Sequence, residues 1–156
     1  LLVTRATPLR GSGDVASGSA PGQVRVVADH LNLSGGSLFP APGMVSAGWD
    51  ATLTERLGSL RGVSGSSVVA LVPGPLRPSP AESRALVSLG ADAAVTDSVA
   101  EAMVLASRGV AVSALTYLDA PAAGGNLGRA QLSLRQASGV TLAAVEEILR
   151  SLRAGS

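Results

Sequence analysis

Apolar residues fall along the chain in short runs, separated by stretches rich in glycine, serine and proline. Residues 1–5, opening on Leu1-Leu2-Val3, predict the end of a strand, and residues 7–22 a loop. Weak alternation over residues 24–27 predicts a second strand that ends at Ala28-Asp29-His30. Residues 34–48 are again loop-like. Residues 50–60 predict a short helix with Asp50 as its N-cap. The continuous run Val68-Val69-Ala70-Leu71-Val72 reads as a buried strand within residues 63–72, ended by Pro73-Gly74-Pro75. Residues 80–89 predict a helix with Pro80 at its start, Ser79 as N-cap and Glu82 at the capping-box spacing; Gly90 stops it. A short strand over residues 91–95, a helix over 98–107 stopped by Gly109, and a strand over 110–115 follow, then a loop over 119–128. In the tail, Leu142, Val145, Ile148, Leu149 and Leu152 recur at helical spacing, which predicts a helix over 139–153 capped by Thr141. Strands alternating with helices predict an α/β fold with a mixed, largely parallel central sheet flanked by helices.

Composition narrows this picture. A length of 156 residues fits one domain, and 46% hydrophobic residues suffice for a core. With one Trp, one Tyr and one Phe, that core must be built from Ala, Val and Leu. All 12 basic residues are Arg, and against 11 acidic groups they leave a formal charge of +1, which argues against a nucleic-acid binder. The absence of Cys excludes disulfides, thiolate metal sites and Cys nucleophiles, and a single His30 excludes His-pair metal sites. No apolar run approaches the roughly 18 residues a membrane span needs. The expectation is a soluble cytoplasmic protein with no membrane partner. The chain opens on Leu1 directly in a strand-like run, which predicts a piece that lacks its own N-terminal part.

Two stretches go beyond pattern. The first is Ala20-Pro21-Gly22, then Val26-Val27-Ala28-Asp29-His30-Leu31-Asn32-Leu33-Ser34-Gly35. The second is Val72-Pro73-Gly74-Pro75, Ser79-Pro80-Ala81-Glu82-Ser83-Arg84, Leu89-Gly90-Ala91-Asp92-Ala93, then Val99, Glu101 and Gly109. Gly48-Trp49-Asp50-Ala51-Thr52-Leu53 stands between them. In order and spacing this set resembles the trimeric purine nucleoside phosphorylases. The resemblance makes residues 1–156 the C-terminal part of a single nucleoside-phosphorylase-like domain. It implies a phosphorylase/hydrolase-like α/β fold, incomplete at its N-terminal side, and a homotrimer. It also implies phosphorolysis of purine ribosides to free base and ribose 1-phosphate, with inorganic phosphate as co-substrate and no cofactor or metal. In that reaction the ribosyl group becomes oxocarbenium-like while the purine gains negative charge, so donors on the leaving purine stabilise it.

Carried over residue by residue, the resemblance fails at the chemistry. The Glu that grips the purine edge falls at Pro78, preceded by Arg77 where the family has an aromatic residue. The phosphate-binding Ser falls at Asp97, whose carboxylate repels phosphate, and the Met packed on the ribose falls at Thr96. The Asn that donates to the purine N7 falls at Leu118, Asp119 or Ala120, so the catalytic position stays open. The segment after the first strand keeps only Thr4 and Ala6 of the family pattern; Arg5, Thr7 and Pro8 differ, and the glycines are gone. Candidate substrate-binding residues are thus Ala6, Thr7, Arg77, Pro78, Thr96, Asp97 and Asp119. Two functional classes follow: a nucleoside phosphorylase with replaced site residues, and a catalytically inactive homologue that serves as a binding or oligomeric scaffold. A gene fragment with no independent function is a third reading.

Plainer roles compete at several positions. His30 reads as a structural hydrogen-bonding group at a strand end rather than a base, and Asp29 as a turn or cap group. Glu82 with Arg84 suggests a local ion pair, Glu101 a solvated helix face, and Gly11-Ser12-Gly13 a loop rather than a phosphate cradle. Arg5 and Arg77 are either surface arginines or anion ligands of a remodelled pocket. Glu146 and Glu147 with Arg150 and Arg153 read as an exposed helix face.

Overall fold

The structure is a computed structural model that describes residues 1–9, 22–33, 48–74, 77–119 and 127–154; for 127–133 and 154 it describes the backbone alone. Of the loops predicted over 7–22, 34–48 and 119–128, residues 10–21, 34–47 and 120–126, with Gly11-Ser12-Gly13 and Ala120 among them, lie outside the described residues. Five strands occur in the order β1 (Leu2–Pro8), β2 (Val24–Asn32), β3 (Val63–Leu71), β4 (Ala93–Val95) and β5 (Ala114–Leu118). Helices α1 (Ala51–Gly58), α2 (Pro80–Ser88) and α3 (Val99–Ser107) lie between them, and α4 (Leu127–Ala154) follows β5.

The strands close into a barrel in the order β1-β4-β3-β2-β5. Pairs β1/β5, β2/β3 and β3/β4 are parallel, while β1/β4 and β2/β5 are antiparallel. The largely parallel flanked sheet expected from the alternation of elements is therefore a closed mixed barrel. Helical crossovers make two of the parallel pairs. The closure comes from β1, which enters between β4 and β5, a long-range pairing that no local pattern encodes.

Side-chain alternation splits the core into three. One cluster gathers Ala6, Val27, Val69, Leu71, Ala93, Val95, Ala114 and Leu118, one or two from each strand, joined by Val99 of α3. Its small residues suit a barrel of only five strands, whose interior is narrow. The alternate residues Leu115 and Tyr117 of β5 pack with Val24, Val26 and Leu57, under Val140 and Ala144 of α4. A third cluster joins Leu9, Ala70, Ala91 and Ala94 to Leu86 of α2.

Local signals place the helices where expected. Asp50 accepts from the Leu53 N–H at 2.8 Å and caps α1. The Ser79/Glu82 capping box is formed in both directions. Glu82 is therefore spent on the Ser79 backbone N–H, at 2.7 Å, rather than on Arg84. These bonds from Ser79 hold its carboxyl below the usual glutamate range.

Several boundaries differ. Strand β1 continues through Thr7 and Pro8, expected as loop, because they pair with Ala94 and Ala93 of β4, and β2 continues past His30 to Asn32 alongside β3. The strand expected over 110–115 runs instead over Ala114–Leu118: the Val112 carbonyl is taken by the Asp50 N–H, and the ladder with β1 opens where the Leu2 N–H donates to the Ser113 carbonyl. The last helix begins at Leu127, a full three turns before the expected start. Thr141 is interior to it, its hydroxyl donating to the Ala137 carbonyl at 2.9 Å, and so is not a cap.

Candidate functional site

At one end of the barrel, the ends of β1, β3, β4 and β5 surround a cleft of about 310 Å³. Its lining includes Ala6, Thr7, Arg77, Pro78, Thr96, Asp97 and Asp119, all seven of the candidate substrate-binding residues. Arg5, Val72 and Ala94 complete it. These residues come from four separated stretches of sequence. The barrel closure brings them together, since β1 must lie between β4 and β5 for Thr7, Thr96 and Asp119 to share one cavity.

Of the three alternatives for the Asn position, Leu118 is excluded from the cleft: it is fully buried in the barrel core. Asp119 follows it, its backbone N–H donating to the Ala6 carbonyl at 2.8 Å, and its side chain lines the cleft. Asp119 Oδ2 accepts from Arg5 Nη2 at 2.6 Å and from Arg77 Nη2 at 3.2 Å. The carboxylate is mostly covered, at 22% exposure, while the guanidiniums are open to solvent at 74% and 48%. Exposed pairs of this kind contribute about 0–1 kcal/mol. Their consequence is positional: β1, the segment before α2 and the exit of β5 are tied to one oxygen.

Asp97 is held differently. Its Oδ1 accepts from the hydroxyl of Thr4 and, at 3.2 Å, from the hydroxyl of Ser98. Thr4 is buried on the inward face of β1. Ser98 lies at φ 68°, ψ −31°, the one positive-φ residue among the described residues that is not Gly. The Val99 N–H donates to the Asp97 carbonyl at 2.8 Å across it, which makes a strained γ-turn. Strain of this kind costs on the order of 1–3 kcal/mol and concentrates at binding sites and switches. The turn delivers the chain into α3 with Asp97 beside the first turn of that helix.

Sequence reasoning missed Thr4 and Ser98 as partners of Asp97. A polar residue on the buried side of an otherwise apolar strand was the available signal for Thr4. His30 and Glu101 line none of the described cavities. His30 Nδ1 accepts from Trp49 Nε1 at 3.1 Å, with the rings edge to face at 5.9 Å, which matches the structural role expected of it. Burial lowers its pKa below the usual histidine value, opposed by the Asp29 carboxylate. Glu101 is exposed on the first turn of α3.

No family model and no curated protein sequence matches the chain. Solved structures do. The purine nucleoside phosphorylase of Schistosoma in complex with guanosine superposes with a TM-score of 0.69 at 18% identity, over 94% of this chain and 60% of that one. The Schistosoma mansoni enzyme in complex with inosine gives 0.68 at 19% identity, over 94% and 59%. The chain thus has a purine nucleoside phosphorylase-like fold and spans about three-fifths of the length of those structures. No helix among the described residues is long and apolar enough to cross a membrane.

Proposed function

We propose that this protein is a purine nucleoside phosphorylase-like homologue whose cleft binds a purine nucleoside without phosphorolysis. One observation carries the reading. The seven positions that the sequence resemblance assigns to substrate line one cavity, in a fold shared with structures that hold guanosine or inosine.

In the proposed complex the purine lies toward Arg77 and Asp119. A guanidinium donates to the ring acceptors, and Asp119, already shared between two arginines, accepts from a purine N–H. Thr96 and Asp97 face the ribose, where a carboxylate suits hydroxyl donors. What the reaction needs in addition is a held phosphate and a donor that strengthens as charge builds on the leaving purine. Losing one such donor lowers a rate by about 10²–10³. Here Asp119, the alternative for the Asn position that lines the cleft, carries a carboxylate that accepts rather than donates, Pro78 carries neither proton nor charge, and Asp97 opposes an incoming dianion. These three replacements favour the inactive homologue over an active phosphorylase. By the same resemblance we propose a homotrimer in the cytoplasm.

The test is calorimetric titration of inosine and guanosine into the folded protein, alongside an assay for released base in the presence of phosphate. Saturable binding with no released base is the expected result. Release of hypoxanthine at an enzymatic rate would replace this reading with an active phosphorylase, and absence of binding would leave a scaffold without a nucleoside site.

A further inference from the structure

Two sets of groups suited to hold an anion stand at the cleft, one of hydroxyls buried behind its lining and one of arginines in the lining itself, and the chain's own carboxylates Asp97 and Asp119 engage both. In the first set the hydroxyls of Thr4 and Ser98 converge on one oxygen of Asp97, beside the first turn of α3. The unpaired N–H groups of a first helical turn add partial positive charge there. In the second set Arg5 of β1 and Arg77 from the segment before α2 converge on one oxygen of Asp119. Two guanidiniums and two carboxylates leave the lining without net charge. The strained backbone of Ser98 keeps its hydroxyl on Asp97, so the arrangement is held against a backbone preference.

We infer that Asp97 and Asp119 are built-in counter-anions: Asp97 engages the hydroxyls behind the cleft and the two carboxylates balance the charge of Arg5 and Arg77, so that the cleft admits ligands presenting hydroxyl or ammonium donors and excludes free phosphate and sulfate. This rests on the reading of the cleft as the binding site. The physical argument is one of competition. An incoming oxyanion gains no hydrogen bond from Thr4 or Ser98 without displacing Asp97, and although Arg5 and Arg77 keep N–H groups beyond those on Asp119, their charge is already balanced by the lining's two carboxylates. It also meets the negative charge of Asp97 at contact distance. A ligand hydroxyl meets the opposite situation, a carboxylate with acceptor capacity to spare.

The experiment titrates inorganic phosphate, and separately sulfate, into the full chain and into Asp97→Ser, Asp119→Asn and the double variant. Thermal unfolding establishes that each is folded. The wild type is expected to give no saturable heat. The double variant is expected to bind phosphate at least about tenfold more tightly than the wild-type limit, the scale of 1.4 kcal/mol. Equal phosphate binding by wild type and double variant overturns the inference, as does a folded double variant that binds none. If Asp119→Asn prevents folding, Asp97→Ser alone decides by the same criterion. Inosine titrated into the same proteins reads the nucleoside proposal separately. A wild type blind to inosine, beside a double variant that gains phosphate, removes the nucleoside reading and supports the counter-anion inference.

Discussion

Asp92 ties three parts of the chain together. Its carboxylate accepts from the Val68 N–H at 2.9 Å, its own N–H donates to the Val68 carbonyl, and its carbonyl accepts from Leu9. It therefore holds the start of β4 against β3 and the end of β1, next to the strand ends that line the cleft. Replacement by Ala leaves the Val68 N–H without its acceptor, and Asp92→Ala is expected to lower stability by about 1–3 kcal/mol in urea unfolding. Asp92→Asn, which keeps an acceptor oxygen, is expected to lose less. His30 makes a pH-dependent contribution. Its folded-state pKa lies below the unfolded value of about 6.5, so the unfolded chain takes up the proton first. Stability from this group is complete above that value and declines as pH falls through it toward the folded pKa. Protonation also removes the lone pair that accepts from Trp49. Thermal midpoints measured from pH 7.5 down to 5.5 are expected to fall more steeply in the wild type than in His30→Gln.

Helix α2 shows what a local signal is able to specify. Ser79, Pro80 and Glu82 lie within four residues, each satisfies or removes a first-turn N–H, and the helix starts where the sequence places it. Ser79→Ala is expected to cost about 1 kcal/mol, read from the denaturant midpoint. The turn before β3 depends instead on a distant contact. Gly62 sits at φ +95°, and a Cβ there would lie 2.6 Å from Cγ2 of Val140 on α4. Gly62→Ala is expected to destabilise by about 1–3 kcal/mol by pushing α4 off the second core cluster. The same contrast explains which elements were legible in the sequence. Helices α1, α2 and α3 carry caps or stops within a few residues of their ends. The shift of β5 and the early start of α4 have no such markers: the Val112 carbonyl is taken by distant Asp50, the β5 ladder is set by its pairing with β1, and Gly139 inside α4 is tolerated in open space. Closure of the barrel was illegible for the same reason, since it depends on β1 pairing with strands some ninety and more residues away. The cleft residues were legible only through the family resemblance. Their partners Thr4 and Ser98 became visible with the strand order and the backbone turn.

Across the whole molecule, α4 presents two faces. Val140 and Ala144 pack on the barrel, while Leu142, Val145, Leu149 and Leu152 are exposed, Leu152 at 66%. Exposed apolar stripes of this size promote association. Leu149→Gln with Leu152→Gln is expected to shift the unfolding free energy by less than about 0.5 kcal/mol per site while raising the concentration at which light scattering detects aggregates. The central claim concerns the cleft lined by Arg5, Arg77, Asp97 and Asp119. Isothermal titration of inosine into the folded protein, with and without phosphate, tests it most directly. The account predicts saturable binding whose affinity is the same in both buffers, because Asp97 engages the hydroxyls of Thr4 and Ser98 and the two carboxylates balance the charge of Arg5 and Arg77. No heat in either buffer, or binding that tightens when phosphate is present, would contradict it.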